Sequence, residues 1–407
     1  MRVLQVNDTD LRGRRFSGYD LLSDLTTRGI IGTQAVLAKH SDDPKVVSLW
    51  SEPTDAALNE AIAGVELAHG MQGLLYPWAR TLRDSAAIRD ADVVHYHLIH
   101  NRMLSLLDVP KLFADKPSVW TLHDPWALTG HCVHPLECAG WLTGCASCPH
   151  PDRWFAMSHD CASSMWAIKR QMFADLDIDL VVASEFMLDM VRRSPLTAHL
   201  ERVHLIPFGV DGTSFLPDSE RAASRRNLGI PDNDFVLLFR SAEGEVKGTD
   251  KLIQALAQSP PSRPTTLLAL DAVGALSMLR RDHNVVELGW VDDKNIYAQA
   301  MSACDVFAMP SPAETFGLMA VEAMAAGRPV VCFEGTAVAS VTHAPGCGVA
   351  VPFGDSLALR EALDGLAADP SDAQRRGALG REIASREYGH DGYLDALTEL
   401  YREVLAR

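Results

Sequence analysis

Two glutamates eight positions apart, Glu314 and Glu322, stand in Pro310-Ser311-Pro312-Ala313-Glu314-Thr315-Phe316-Gly317-Leu318-Met319-Ala320-Val321-Glu322. This stretch follows a β-rich apolar run. It opens a helical pattern that runs to Ala326, with Gly327 as its C′ residue and Pro329 as its stop. A helix starting here leaves backbone N–H groups around Thr315, Phe316, Gly317 and Leu318 without helical partners, and such an end attracts anions. Eight helical residues rise about 12 Å. That span suits a ligand with hydroxyls at both ends and a phosphate bridge between them, such as a nucleoside diphosphate sugar. The plain alternative is an amphipathic helix carrying two solvated glutamates.

A second set is cationic. Phe239-Arg240 ends an apolar run, and Lys247-Gly248 opens the next helical stretch. Two cations near one strand end can neutralise a leaving diphosphate. Glu243 and Glu245 lie between them, so only the two cations need point inward; the alternative is a solvated basic pair. A third set is Thr121-Leu122-His123-Asp124, again at a strand end. A histidine there can hydrogen-bond a substrate hydroxyl or move a proton, or simply cap a loop. His95 and His97 flank Tyr96, and strand alternation puts both on one face. Either one of them reaches a ligand or the two form a packed imidazole pair.

The elements that must position these residues follow from hydropathy. Six apolar runs occur in the first half: Val3–Val6, Ala35–Ala38, Val93–Tyr96, Ser118–Leu122, Leu180–Ala183 and Val203–Ile206. Six more follow: Phe235–Phe239, Thr266–Leu270, Val285–Leu288, Asp305–Met309, Pro329–Phe333 and Gly348–Val351. Continuous apolar runs separated by helical patterns predict parallel strands covered on both faces. Two sets of six fit two Rossmann-like, doubly wound α/β domains better than one closed barrel. The turn-rich stretch Pro207–Pro217 is the boundary. The terminal segment Asp391–Ala406 reads as a helix with one buried face. Ligands of open α/β sheets bind beyond the carboxyl ends of the strands. Two such sheets facing each other therefore predict a site in the cleft between domains.

Composition narrows the function. The 407 residues are 47% apolar and 22% charged, ordinary for a globular chain of about two domains. The 53 acids against 37 bases give a formal charge of −16, which argues against broad binding to nucleic acid. No run of 18 uncharged apolar residues predicts a membrane span. The opening apolar run is too short for a signal peptide, which predicts a cytoplasmic protein with reduced cysteines. No G-x-G-x-x-G follows the first run, which disfavours a dinucleotide-dependent dehydrogenase.

These motifs, with Ile206-Pro207-Phe208-Gly209-Val210-Asp211, together resemble the family 4 retaining glycosyltransferases of the GT-B fold. They occur in that family's order and cover nearly the whole chain. Thr-Leu-His-Asp-Pro-Trp-Ala-Leu-Thr-Gly-His-Cys is similar to the branch that builds bacterial exopolysaccharides and related glycoconjugates. The resemblance implies an acceptor-side domain over 1–207, completed by a crossover helix over 389–407, and a nucleotide-sugar domain over 208–388. It also implies roles. Glu322 would hold the ribose, Glu314 the donor sugar, and Phe316, Gly317 and Leu318 would offer backbone amides. Arg240 and Lys247 would stabilise the departing diphosphate in place of a metal, so no catalytic metal is implied. His123 would contact the donor sugar, Gly18 would approach the diphosphate, and Val291 in Gly289-Trp290-Val291 would lie by the base. Transfer would retain the anomeric configuration, with a diphosphate oxygen as base.

The implied reaction moves a hexose from a nucleotide donor, UDP-sugar first and GDP-sugar second, to a hydroxyl. The acceptor is a glycan, a lipid-linked sugar or a small molecule, and peripheral membrane contact stays open. The alternatives are a GT-B phosphorylase or epimerase, or a non-catalytic sugar-nucleotide-binding subunit. The chain departs from the family at three points. Phe208 stands where Asn is common, six residues rather than five separate Arg240 from Lys247, and Ser17-Gly18 replaces a glycine pair.

Two loops complete the reading. Arg12, Arg14 and Arg15 follow the first strand and could receive an anionic acceptor, alongside His97, or form a solvated loop. Cys132, Cys138, Cys145 and Cys148 fall within 17 residues of a Gly- and Pro-rich insertion. Four soft ligands in such a loop suit a structural zinc, and the alternative is a set of packed free thiols.

Overall fold

Strands form where the apolar runs predict them, and both faces of most are covered. In the computed structural model, which describes residues 1–153, 155–241 and 245–407, the first sheet holds seven strands. They are β1 (Arg2–Thr9), β2 (Ile31–Ala38), β3 (Val46–Ser48), β4 (Val93–Tyr96), β5 (Ser118–Thr121), β6 (Asp179–Val182) and β7 (Val203–Leu205). Their order is β3-β2-β1-β4-β5-β6-β7, and all pairs are parallel. The second sheet holds β8 (Phe235–Arg240), β9 (Thr265–Leu270), β10 (Asn284–Glu287), β11 (Val306–Met309), β12 (Val330–Phe333) and β13 (Gly348–Val351). Its order is β10-β9-β8-β11-β12-β13, again parallel throughout. Both are doubly wound α/β sheets.

One strand escapes the sequence reading. β3 is a three-residue edge strand, Val46-Val47-Ser48, whose Val46 is buried while Val47 lies open, and it is shorter than the four- to five-residue runs that mark the other strands. The central strands are buried along their length: all four residues of β4, β5, β6, β11 and β12 are inside. That is the expected state of parallel strands with helices on both faces.

The chain divides into two compact units, residues Met1–Ile206 with Leu394–Arg407, and Pro207–Tyr393. Each has its own core. In the first, Val94, Tyr96, Trp120, Leu180 and Phe173 pack under β4 to β6. In the second, Phe235, Leu237, Phe239, Val331 and Phe333 do so under β8 and β12. The terminal helix runs His390–Ala406, and its Leu397, Leu400 and Tyr401 are buried. No described helix is long and apolar enough to cross a membrane.

Strand order places the chemistry. In each sheet the winding reverses beside the first strand of the set, between β1 and β4 and between β8 and β11. Loops leaving these neighbours diverge to opposite faces and open a crevice at the carboxyl edge. His97 follows β4, and Arg240 ends β8 while Pro310-Ser311 follows β11.

Candidate active site

In the Pro207–Tyr393 unit the crevice is cationic and narrow. A cavity there is lined by Arg240, Lys247, Met309, Ser311 and Met319. Gly248 makes the approach possible. Its φ is +66°, and a Cβ would lie 1.9 Å from the Pro310 carbonyl oxygen, so the loop after β8 rests directly on the loop after β11. That contact carries Lys247 to Glu314, with Lys247 Nζ 2.5 Å from Glu314 Oε1. Arg240 Nε donates to Asp271 Oδ2, and its guanidinium lies 5.9 Å from the ring centre of the exposed Trp290. Of the two glutamates between the cations, Glu243 lies outside the described residues.

The helix expected over these residues starts later than its motif suggests. It runs Leu318–Ala325, capped by Gly317 at φ +89°. Glu322 is therefore just past the first turn, not two turns in, and it is buried. Tyr297 Oη donates to Glu322 Oε2 at 2.5 Å, fixing that carboxylate. The Phe316 ring is buried edge-on against Phe208, with ring centres 5.3 Å apart, and Tyr388 packs on it too. Phe208 thus supplies an apolar wall where the family commonly has an amide. Val291 follows Trp290 after β10.

In the first unit the crevice is lined by imidazoles. His95 and His97 have ring centres 4.3 Å apart, so they form the packed pair. His97 Nδ1 is 2.9 Å from His123 Nε2, and His97 Nε2 is 2.7 Å from Gln5 Oε1. His95 is bonded to Tyr401 Oη and Thr121 Oγ1, both at 2.6 Å. Burial drives the His95 pKa down to about 3 and that of His123 to about 4, and holds His97 well below the ordinary value. All three rings are neutral at pH 7. Gly18, at φ +100°, does not open the first helix, which starts at Leu21. Its backbone lies against Gln5 and His97, where a Cβ would come 2.8 Å from Gln5 Cβ and 3.0 Å from His97 Nε2.

Two expectations, for His97 and for the cysteines, are corrected. His97 is buried with both ring nitrogens engaged inside the protein, which leaves it no nitrogen for an acceptor. Arg14 pairs with Asp20 at 2.7 Å and stacks on Tyr19. Finally, among the described residues no three His, Cys, Asp or Glu side chains are placed to hold a metal ion, so the zinc expected at Cys132, Cys138, Cys145 and Cys148 finds no support. The thiols make other contacts: Cys145 Sγ accepts from Gly130 N, Cys138 Sγ from Gly140 N, and Cys148 Sγ is 3.1 Å from His131 Nε2. Burial raises the pKa of Cys132, Cys145 and Cys148. What pins the insertion is Lys169. Its buried ammonium donates to the carbonyls of Trp126, Thr129 and Gly130 and lies 3.6 Å from the Trp126 ring centre.

Several supporting residues were not read from sequence. Gln5 is a polar residue inside the buried run of β1, a signal that was there to see. Tyr401 lies on the apolar face of the terminal helix. Asp271 and Tyr297 carry no motif; only the fold brings them to Arg240 and Glu322.

The comparisons with known proteins agree along the chain. A model described as Glycosyltransferase Family 4 matches residues 35–213, and one described as Glycosyl transferases group 1 matches residues 220–383. A D-inositol 3-phosphate glycosyltransferase of Xylanimonas cellulosilytica is 30% identical over 301 residues, covering 66% of this chain and 71% of that one. WcaC of Escherichia coli K12, described as a colanic acid biosynthesis glycosyl transferase, is 26% identical over 264 residues, 62% of each chain. Among solved structures, sucrose-phosphate synthase of Thermosynechococcus elongatus superposes with a TM-score of 0.72 at 19% identity, covering 100% of this chain and 99% of that one. HepE of Anabaena, solved with UDP and glucose, gives 0.70 at 19% identity, covering 98% and 99%. With its two parallel sheets, these matches and the motifs above, the chain belongs to the family 4 glycosyltransferases of the GT-B fold, enzymes that transfer sugar from a nucleotide-sugar donor.

Proposed function

We propose that the chain is a retaining hexosyltransferase that uses a UDP-sugar and glycosylates a hydroxyl of a glycan or lipid-linked acceptor. The observation that carries this reading is the crevice between β8 and β11. There two cations, Arg240 and Lys247, stand beside Glu314 and beside a helix that holds the buried Glu322.

Glu322, oriented by Tyr297, binds the ribose hydroxyls, and Val291 lies by the base. The two cations take up the charge that grows on the diphosphate as the anomeric bond breaks, which lowers the barrier without a metal. Lys247 is held by Glu314 at 2.5 Å before any ligand arrives, so little reorganisation is left for the moment of reaction. Glu314 then shares its oxygens between this lysine and sugar hydroxyls, and Phe316, Gly317 and Leu318 offer backbone amides. In the other unit, His123 is assigned to the donor sugar and Gly18 to the diphosphate. Arg12, Arg14 and Arg15 are assigned to an anionic acceptor. HepE, solved with UDP and glucose, supports the choice of UDP. A Corynebacterium glutamicum relative, 30% identical over 260 residues and described as a GDP-mannose-dependent mannosyltransferase, supports GDP as the second choice. WcaC supports a polysaccharide acceptor.

A thermal melt with UDP, GDP and ADP tests the reading. A nucleotide at a hundredfold over Kd stabilises by about 2.7 kcal/mol, a shift of roughly 5–11 °C for units of this size. UDP is expected to give that shift, and Glu322→Ala and Lys247→Ala to abolish it. A shift with GDP alone reassigns the donor. No shift with any nucleotide in folded protein removes the site from the crevice. The anomeric proton coupling of the product then decides retention.

A further inference from the structure

The histidines of the first unit form a directed chain of hydrogen bonds, and its direction can be read from Gln5. Gln5 Nε2 donates to Tyr401 Oη at 3.4 Å, which leaves Gln5 Oε1, a pure acceptor, facing His97 Nε2 at 2.7 Å. His97 must therefore carry its proton on Nε2. A neutral imidazole has one N–H, so His97 Nδ1 is an acceptor. The atom 2.9 Å from it, His123 Nε2, must donate. The other branch agrees. Tyr401 Oη, accepting from Gln5, donates to His95 Nδ1 at 2.6 Å, and His95 Nε2–H donates to Thr121 Oγ1 at 2.6 Å. Each donor in both branches meets one acceptor.

We propose that Gln5 and His97 are positioning residues that lock His123 as its Nε2–H tautomer, so that His123 meets a substrate hydroxyl as a hydrogen-bond acceptor through Nδ1 and does not act as an acid. This rests on the assignment of His123 to the donor sugar. The lock is rigid as well as directed. His97 is stacked on His95, with ring centres 4.3 Å apart. The Gly18 backbone lies against both Gln5 and His97, where no side chain would fit. Phe16 packs on His123, with ring centres 5.4 Å apart. Burial keeps all three rings neutral at pH 7, so the tautomer, not the charge, is what the chain determines.

The consequence is chemical. An acceptor nitrogen selects a hydroxyl that donates, and it cannot protonate a leaving oxygen. Gln5, in the middle of β1, and Tyr401, in the terminal helix, become determinants of how the sugar is recognised without touching it.

Long-range proton–nitrogen NMR on the full chain labelled with ¹⁵N-histidine reads the tautomer directly, with His123 assigned by its loss in His123→Gln. The expected spectrum shows His123 protonated on Nε2. His97→Leu and Gln5→Leu are expected to shift the tautomer ratio about tenfold toward Nδ1–H, the worth of one hydrogen bond. His97→Asn, whose side-chain oxygen can stand in for Nδ1, is expected to keep the ratio within about twofold. His123 protonated on Nδ1 in the unsubstituted protein overturns the proposal, even where a variant fails to fold. So does an unchanged ratio in folded His97→Leu. The spectrum needs no substrate, so its failure is separate from failure of the UDP melt.

Discussion

A buried carboxylate is only as useful as the donors that fix its position. Glu322 is held by Tyr297 Oη at 2.5 Å inside the second unit. Tyr297→Phe removes the donor and leaves the ring, so the expected effect is confined to nucleotide binding. A charge-assisted bond contributes about 1.5–3 kcal/mol, which predicts donor KM rising roughly tenfold or more with the fold intact. A variant with unchanged KM would place the ribose elsewhere. The neutral histidines give a second prediction at this scale. His95 has its pKa lowered to about 3 by burial, with His123 adding to the effect. The unfolded chain then binds the extra proton below about pH 6.5, and the folded protein does not. Stability is therefore full above pH 6.5 and falls as pH drops toward 3. From this residue alone the loss at pH 5 is about 2 kcal/mol. Denaturant melts at pH 7 and pH 5 measure it, and His95→Asn, weaker at pH 7, should show the shallower pH slope.

Elements, more than single side chains, bring the cations of the second unit to their site. The loop after β8 reaches the loop after β11 because Gly248 has no Cβ to strike the Pro310 carbonyl oxygen at 1.9 Å. Gly229 provides a matched control: its φ is +68°, close to the +66° of Gly248, but nothing lies within 4 Å of its Cβ position. Gly→Ala at both sites carries the same backbone strain of about 1–2 kcal/mol. Only Gly248→Ala adds a collision, so it is expected to be the less stable by several kcal/mol and to lose the UDP-induced shift, while Gly229→Ala keeps it. Equal melting of the two variants would show that the loops do not touch. The same scale explains the late helix start. The motif from Pro310 onward looks helical in periodicity, but Gly317 in the left-handed region lets the helix begin only at Leu318.

For the whole molecule, the chain ends inside the unit it began. Leu394, Leu397, Leu400, Tyr401 and Val404 are buried, and Arg28 pairs with Asp395 while Arg407 pairs with Asp179. Each fully buried large side chain contributes about 1.5–3 kcal/mol, so the segment as a whole carries an amount comparable to the entire stability of a domain, about 5–15 kcal/mol. Truncation after Tyr393 is therefore expected to abolish the melting transition of the first unit and leave that of Pro207–Tyr393, followed by hydrogen exchange. Retention of protection in β1 and β4 after truncation would refute this. Tyr401 adds a specific loss, since it holds His95 and accepts from Gln5.

The amino-acid order by itself determined the α/β class, twelve of the thirteen described strands and the family. These are legible because buried parallel strands need unbroken apolar runs, and because the motifs around Arg240, His123 and Glu314 lie at strand ends with distinctive neighbours. β3 stayed hidden because three residues at an edge carry almost no hydropathy signal. The tertiary structure alone decided what surrounds the reactive groups. It paired Lys247 with Glu314, Arg240 with Asp271, and Glu322 with Tyr297; it turned His97 inward as a partner of His123; and it pinned the cysteine insertion with Lys169. Each of these contacts joins residues distant in the chain, and a hydrogen bond depends on where two atoms lie in space, which no local pattern of residue types encodes.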